Sequence, residues 1–451
     1  MAHSEIHSIN NASSDLDQPR KKVVFVIAIV AFLSLSSGFL SNQWGAVPEE
    51  RFSQRAIWFD FLLLGRLMQS EQNGIFSAGG LIGSIDLRHG DVPRVQRHVY
   101  KAYMEGKYPE KFYRYKSQIG LQGMLASAFA NTTKLSRKAT LQMLQAFNAV
   151  ATSLVLSVVL FWVAWEFGAL AAAFGLISML SSDILTNFGS SLHWSIWSYY
   201  LPFLAVIVAL RREQTATKPF SYRFWFFFFS ALAFLKCVFS GYDLVSTVLV
   251  MMVSPIVYFA VWSGWSLRRL TTVFATAIAG AVTSLFASFV LLNIQIYFSG
   301  NQEARLGGIR HIIDRFVIRT VGGESQKAES ALSVWEVIWQ HLSAPAVLMS
   351  NLNITFFELL LAISAGTLVL LGLGRCNIGN QRKNLALMAA TWFSILAPLS
   401  WFVIFKQHAE KHPFVVLSWY MPFIFMGFIL IGCATKEAFG VFPRRQQLKS
   451  N

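Results

Sequence analysis

Apolar residues along this chain gather in long unbroken runs instead of alternating with polar ones or recurring every three to four positions. About 20 consecutive apolar residues cross a bilayer's hydrocarbon as a helix. Lipid tolerates no open strand edge or bare loop. Ten such runs predict ten crossing helices, at residues 23–40, 141–165, 168–187, 194–210, 222–240, 244–264, 271–297, 354–374, 385–405 and 414–434. The pattern predicts an all-α polytopic membrane protein. Its segments are a tail at 1–22, a first crossing at 23–40, a long outer segment at 41–140, helices two to seven at 141–297, a second outer segment at 298–353, helices eight to ten at 354–434 and a basic tail at 435–451.

Composition agrees: of 451 residues, 54% are hydrophobic and only 14% charged, too few polar groups to coat a soluble fold. A soluble enzyme, a disordered chain, a coiled coil and a nucleic-acid binder are thereby excluded, although the formal charge is +15. That charge follows topology. Lys and Arg collect on the cytoplasmic side of short loops. Here Arg211, Arg212, Lys218 and Arg223, then Arg268 and Arg269, then Arg375, Arg382 and Lys383, and finally Lys436, Arg444, Arg445 and Lys449 all follow even-numbered runs. The loops Ser182–His193 and Ser240–Asp243 hold no Lys or Arg. Both termini are expected in the cytoplasm, with Arg20, Lys21 and Lys22 heading an uncleaved anchor. Cys237, Cys376 and Cys433 are too scattered for a disulfide framework or a metal motif.

The polar mass thus lies on the outer side. Residues 41–140 carry fourteen Lys and Arg against eight Asp and Glu, which a loop this long can translocate. Within it, Ser53–Ser70 places Ile57, Phe61, Leu64 and Met68 on one helical face, and Ser117–Asn131 is weakly amphipathic; both are expected to lie flat at the membrane interface. Between them RHVYKAYMEGKYPEKFYRYK mixes Tyr with Lys and Arg, suited to an interfacial belt or to a platform for sugar rings and phosphates.

Candidate chemistry follows from ionisable residues at or near membrane depth. Glu49 and Glu50 follow the first helix closely; such carboxylates can take a proton from an acceptor hydroxyl or hold a divalent cation, Mg or Mn, beside a pyrophosphate. Lys236, in FLKCVFSGYD, either snorkels outward or contacts phosphate, and Asp243 ends the same segment as its natural partner. Asp183 and His193 flank a short outer turn. In GGIRHIIDRFVIRT, Arg315 and Arg319 are four apart and share a helical face, a fork for lipid phosphate or the charged side of a solvated helix. SWFVIFKQHAEKHPF gathers Lys406, His408, Glu410, Lys411 and His412 as a polar rim. Two His four apart offer metal nitrogens, but no third ligand is evident.

One outward helix, then a long outer loop with an acidic pair at its start and flat helices, then a polytopic body: this arrangement resembles the GT-C superfamily of membrane glycosyltransferases. EERF at Glu49–Phe52 is similar to that family's acidic pair after the first helix, with Glu where Asp is more usual. YKSQIGLQG at Tyr115–Gly123, FLKCVFSGYD at Phe234–Asp243 and SWFVIFKQHAEKHPFVVLSWYMPF at Ser400–Phe423 look like pieces of bacterial inner-membrane proteins grouped with those enzymes. The resemblance implies a polyprenyl-phosphate sugar donor and an envelope glycan, lipid or protein acceptor. It implies Glu49, Glu50 or Asp60 as general base, and Lys236, Arg315, Arg319 and Lys406 steadying the leaving phosphate. The absence of a phosphate loop or GxGxxG agrees with a lipid-linked donor. Two rivals stand beside it, a transporter or flippase of an anionic or lipid-linked substrate and an O-antigen polymerase or ligase. The expected location is a bacterial inner membrane.

Overall fold

The computed structural model describes residues 2–85, 92–108, 110–299, 307–320, 332–347, 353–374 and 378–449. Twenty-one α-helices carry the fold. The first is α1 (Ala2–Ser41). The outer segment holds α2 (Glu49–Ser53), α3 (Arg55–Phe59), α4 (Phe61–Asn73), α5 (Val92–Met104) and α6 (Leu121–Thr132). Then come α7 (Arg137–Phe167), α8 (Ala169–Leu180), α9 (Asp183–Phe188), α10 (Trp197–Thr215), α11 (Tyr222–Ser240), α12 (Val245–Ser263) and α13 (Leu267–Phe298). The second outer segment holds α14 (Gly307–Thr320) and α15 (Val334–Leu342). The chain finishes with α16 (Phe356–Gly374), α17 (Ile378–Ser394), α18 (Leu396–Ile404), α19 (Lys406–Lys411), α20 (Leu417–Tyr420) and α21 (Phe423–Lys449). Two antiparallel ribbons, β1 (Gly83–Ser84) with β2 (Tyr113–Arg114) and β3 (Pro345–Val347) with β4 (Ile354–Thr355), pin the outer segments.

Among the described residues, eight stretches are long and apolar enough to cross a membrane: Lys21–Ser41, Arg137–Phe167, Tyr222–Ser240, Val245–Ser263, Leu267–Phe298, Phe356–Leu373, Gln381–Ile404 and Phe423–Gly440. The protein is therefore an all-α integral membrane protein. Two of the ten expected crossings fall outside this set for physical reasons. The run at 168–187 breaks into the 12-residue α8 and the short α9, where Ser182 caps a new helix by accepting from Leu185 N. The run at 194–210 forms the 19-residue α10, whose last turns carry Arg211, Arg212 and Glu213 and dilute its apolar character.

Tight helix pairs build the body: α11 lies along α13, α1 along α7, α12 along α17, and α21 along α8 and α16. Small residues make the first pair possible. Ala277, Gly280, Ala281, Ser284 and Ser288 form the buried stripe of α13, letting backbones approach closely. A Cβ at Gly280 would stand 2.8 Å from the Phe226 carbonyl of α11, and Ser284 Oγ donates to Ser230 O across the seam at 2.5 Å.

The outer segments meet at one end of this bundle. Gln118 donates to Phe239 O (3.0 Å), Gln295 to Ile119 O (3.2 Å) and Gln122 to His193 O (3.3 Å), so the first segment is tied to the last turns of α11 and α13 and to the turn before α10. His341 Nε2 pairs with Ala409 O at 3.0 Å, which fixes the second segment to α19. At the opposite end stand Glu166 with Lys383 (2.6 Å) and Arg211 (3.5 Å), and Glu213 with Arg269 (2.7 Å).

The two stretches read as interfacial helices pack on each other and on α5. Asp60 divides Ser53–Ser70 into α3 and α4, and Leu63, Leu64, Leu67 and Met68 are buried against α5 and α6 in a core of their own. α6 likewise packs on α4, burying Gln122, Gly123, Ala126 and Ser127. The first outer segment is a small folded layer. Its polar residues act as internal ties: Arg66, wholly buried, donates to the carbonyls of Ser77 (2.6 Å) and Ile75, and Arg137 grips Glu71 at 2.6 Å.

Candidate functional site

The turn between α11 and α12 is shaped by Lys236, whose ammonium donates to Gly241 O (2.7 Å) and Asp243 O (2.5 Å). Gly241 adopts a left-handed φ of 63°, and a Cβ there would press on Gln118 at 2.8 Å, so the turn needs glycine for both backbone and space. This turn presents the Asp243 carboxylate to Arg319 of α14, 2.9 Å away. Burial pushes that carboxyl up, but Arg319 above all, with Lys236 beside it, outweighs it and holds it below the ordinary carboxylate range. Burial in turn lowers Arg319, and Asp243 more than restores it.

Around the pair opens a polar cavity of about 520 Å³. Tyr115, His193, Arg315, His408, Lys411 and His412 line it with Asp243 and Arg319, over a wall of Trp58, Phe59, Trp194 and Phe414. Nδ1 of both His193 and His408 is buried and has no hydrogen-bond partner among the described residues. Burial lowers both imidazoles, His193 against the pull of Asp243 and His408 down to about 3, so each is a neutral hydrogen-bonding group near neutral pH. The rings of His408 and His412 lie 4.4 Å apart.

A second cavity, about 410 Å³, adjoins the first through Arg315 and Arg319, which line both. Its walls are apolar: Tyr242, Val245, Leu249, Leu285, Phe289 and Phe405 among them. α14 lends Ile313 and Phe316 to this groove as well, and both are exposed, as are Ile309 and Val317. Two arginines on one helix thus stand between an oily groove and a chamber of imidazoles, a phenol and a carboxylate. Such a pair can take an anionic head whose tail prefers hydrocarbon.

The remaining candidates occupy other places. Glu49 and Glu50 are exposed in the first turn of α2 and do not line the cavity. Asp60 is fully buried: its Oδ1 accepts from Ser191 Oγ (2.8 Å), Leu192 N (2.9 Å) and His193 N (3.3 Å), and its Oδ2 from Gln145 (3.1 Å). Burial raises its pKa and these bonds oppose the rise. Asp60 therefore holds the turn that carries His193 rather than facing the cavity. Asp183 pairs with Arg51 at 2.8 Å, its carboxyl raised by burial against that arginine's pull. Lys406 donates to the Leu332 carbonyl and does not line the cavity.

Among the described residues no three His, Cys, Asp or Glu are placed to hold one metal ion. The sequence did not point to Trp58, Phe59 or the apolar groove. Their signal is tertiary, since the lining side chains come from segments as distant as 58 and 414. Compared with known proteins, the chain matches no family model, no curated protein and no solved structure.

Proposed function

We propose that this chain is an integral-membrane glycosyltransferase of the GT-C kind, moving a sugar from a polyprenyl-phosphate donor to an envelope glycan, lipid or protein acceptor. The observation that carries the reading is the position of Arg315 and Arg319 between an apolar and a polar cavity. A prenyl chain suits the groove, its phosphate the two guanidiniums, and the sugar the chamber, where Tyr115, His193 and His408 offer hydrogen bonds and Trp58 and Trp194 offer flat faces.

Asp243 takes the role of general base in this reading, because among Glu49, Glu50, Asp60 and Asp243 it alone lines the chamber. The acceptor hydroxyl gives its proton to the Asp243 carboxylate as its oxygen attacks the anomeric carbon. The bond from that carbon to the phosphate oxygen breaks, and the electron pair leaves with the lipid phosphate. Arg315 and Arg319 match the charge that grows there. Phosphate binding also draws Arg319 away from Asp243, which frees the carboxylate to accept the proton.

The reading includes ten crossings, adding α8 with α9 and α10 to the eight apolar spans. Both termini then lie on the cytoplasmic face of a bacterial inner membrane and the cavities on the outer face. The test is binding of a spin-labelled prenyl phosphate to the purified protein. Wild type should immobilise the lipid, and Arg315→Ala with Arg319→Ala should weaken binding at least about tenfold, the scale of one lost charge-assisted contact. Unchanged binding in the double variant contradicts the assignment. Tight binding without transfer to any acceptor shifts the weight to a transporter or flippase.

A further inference from the structure

At the end of the bundle away from the polar cavity, a second lipid-facing recess of about 440 Å³ lies between α7 and α10. Phe161, Trp162, Leu204 and Ile207 are among its walls, and Trp165, Arg211 and Arg212 close its end. Val158, Phe161 and Val208 of these walls expose 38%, 37% and 47% of their surface among the described residues.

The charge at the closed end is not balanced. Glu166, with its side chain 1% exposed, is shared by Lys383 (2.6 Å) and Arg211 (3.5 Å). Arg211 is further held by Gln214 at 3.1 Å and by the Trp262 ring at 5.3 Å, which fixes its guanidinium beside the recess. Arg212 is exposed and has no carboxylate partner among the described residues. The neighbouring Glu213 is engaged by Arg269 instead. Arg211 and Arg212 both line the recess, and only Arg211 shares a carboxylate, so Arg212 leaves uncompensated positive charge over an apolar slot.

We propose that this recess is a binding site for an anionic phospholipid of the leaflet on that face, independent of the outer cavities. Its phosphate sits on Arg211 and Arg212, and one acyl chain lies between α7 and α10 against Phe161, Trp162 and Leu204. Basic pockets between transmembrane helices bind anionic headgroups in this way, each cation near the surface adding to the affinity. Trp165 at the same depth suits the headgroup boundary.

The test is native mass spectrometry of the full chain in detergent, titrated separately with phosphatidylglycerol and phosphatidylcholine. Wild type should retain one phosphatidylglycerol at least about fivefold more tightly than phosphatidylcholine, as the uncompensated Arg212 predicts. Arg211→Gln with Arg212→Gln should abolish that preference, whereas Arg319→Ala should leave it intact. Since Arg211 also touches Glu166, Arg212→Gln alone and Val208→Trp, which fills the slot without removing charge, provide variants that spare the ion pair. Equal affinity for the two lipids in wild type, or an undiminished preference in both Arg212→Gln and Val208→Trp, overturns the proposal.

Discussion

Asp60 illustrates how a single acidic residue can be near a site without belonging to its chemistry. Three donors converge on its Oδ1, two of them backbone amides of the turn that carries His193. Asp60→Ala would leave those buried donors unsatisfied, at a cost of about 1–3 kcal/mol. Thermal unfolding in detergent should show that loss; an unchanged midpoint would mean the turn holds itself. The imidazoles make a second prediction at this scale. His193 and His408 are held neutral in the fold, whereas their unfolded counterparts take up a proton near 6.5. Their contribution is complete above about 6.5 and is lost as pH falls towards about 3, the lowered value of His408. Lowered Asp243 acts in the same direction, so the two must be separated by mutation. His408→Gln should flatten the fall of stability with acid; an identical slope in wild type and variant would remove His408 as its source.

At the scale of elements, the seam between α11 and α13 positions both halves of the candidate site. α11 ends in the turn bearing Asp243, and α13 ends beside α14, which bears Arg319. Gly280 is a point of close approach, with the Phe226 carbonyl 2.8 Å from where a Cβ would sit. Gly280→Leu should therefore force the helices apart and cost about 1–3 kcal/mol, typical of overpacking. Its measure is a lower unfolding temperature together with a longer spin-label distance from 243 to 319. Unchanged values of both would show that the seam tolerates bulk. Much at this scale was legible beforehand, because an apolar run of crossing length has few alternatives. Arg315 and Arg319 could be put on one face from their spacing alone. The α8–α9 break was not legible, since Ser182 acts as a cap only once the chain turns there. Nor was the burial of α4, because an amphipathic face looks the same whether it meets lipid or the neighbouring helices α5 and α6.

For the whole molecule, polar residues separate into two layers. Ion pairs such as Glu166–Lys383 and Glu213–Arg269 stand at one end, and the folded outer segments with the two joined cavities stand at the other. The sequence indicated the concentration of polar mass on one side, since 41–140 and 298–353 are too long to be simple hairpin turns. It could not indicate which carboxylate enters the chamber, because Asp243, Arg319 and His408 are brought together only by folding. The most direct measurement is mass spectrometry of envelope glycans and prenyl-linked sugars from cells lacking this chain and complemented with wild type or Asp243→Asn. The account predicts that wild type restores one sugar on the glycan, while Asp243→Asn, at equal membrane abundance, leaves that sugar on its prenyl phosphate. Full restoration by Asp243→Asn, or identical profiles with and without the chain, would contradict it.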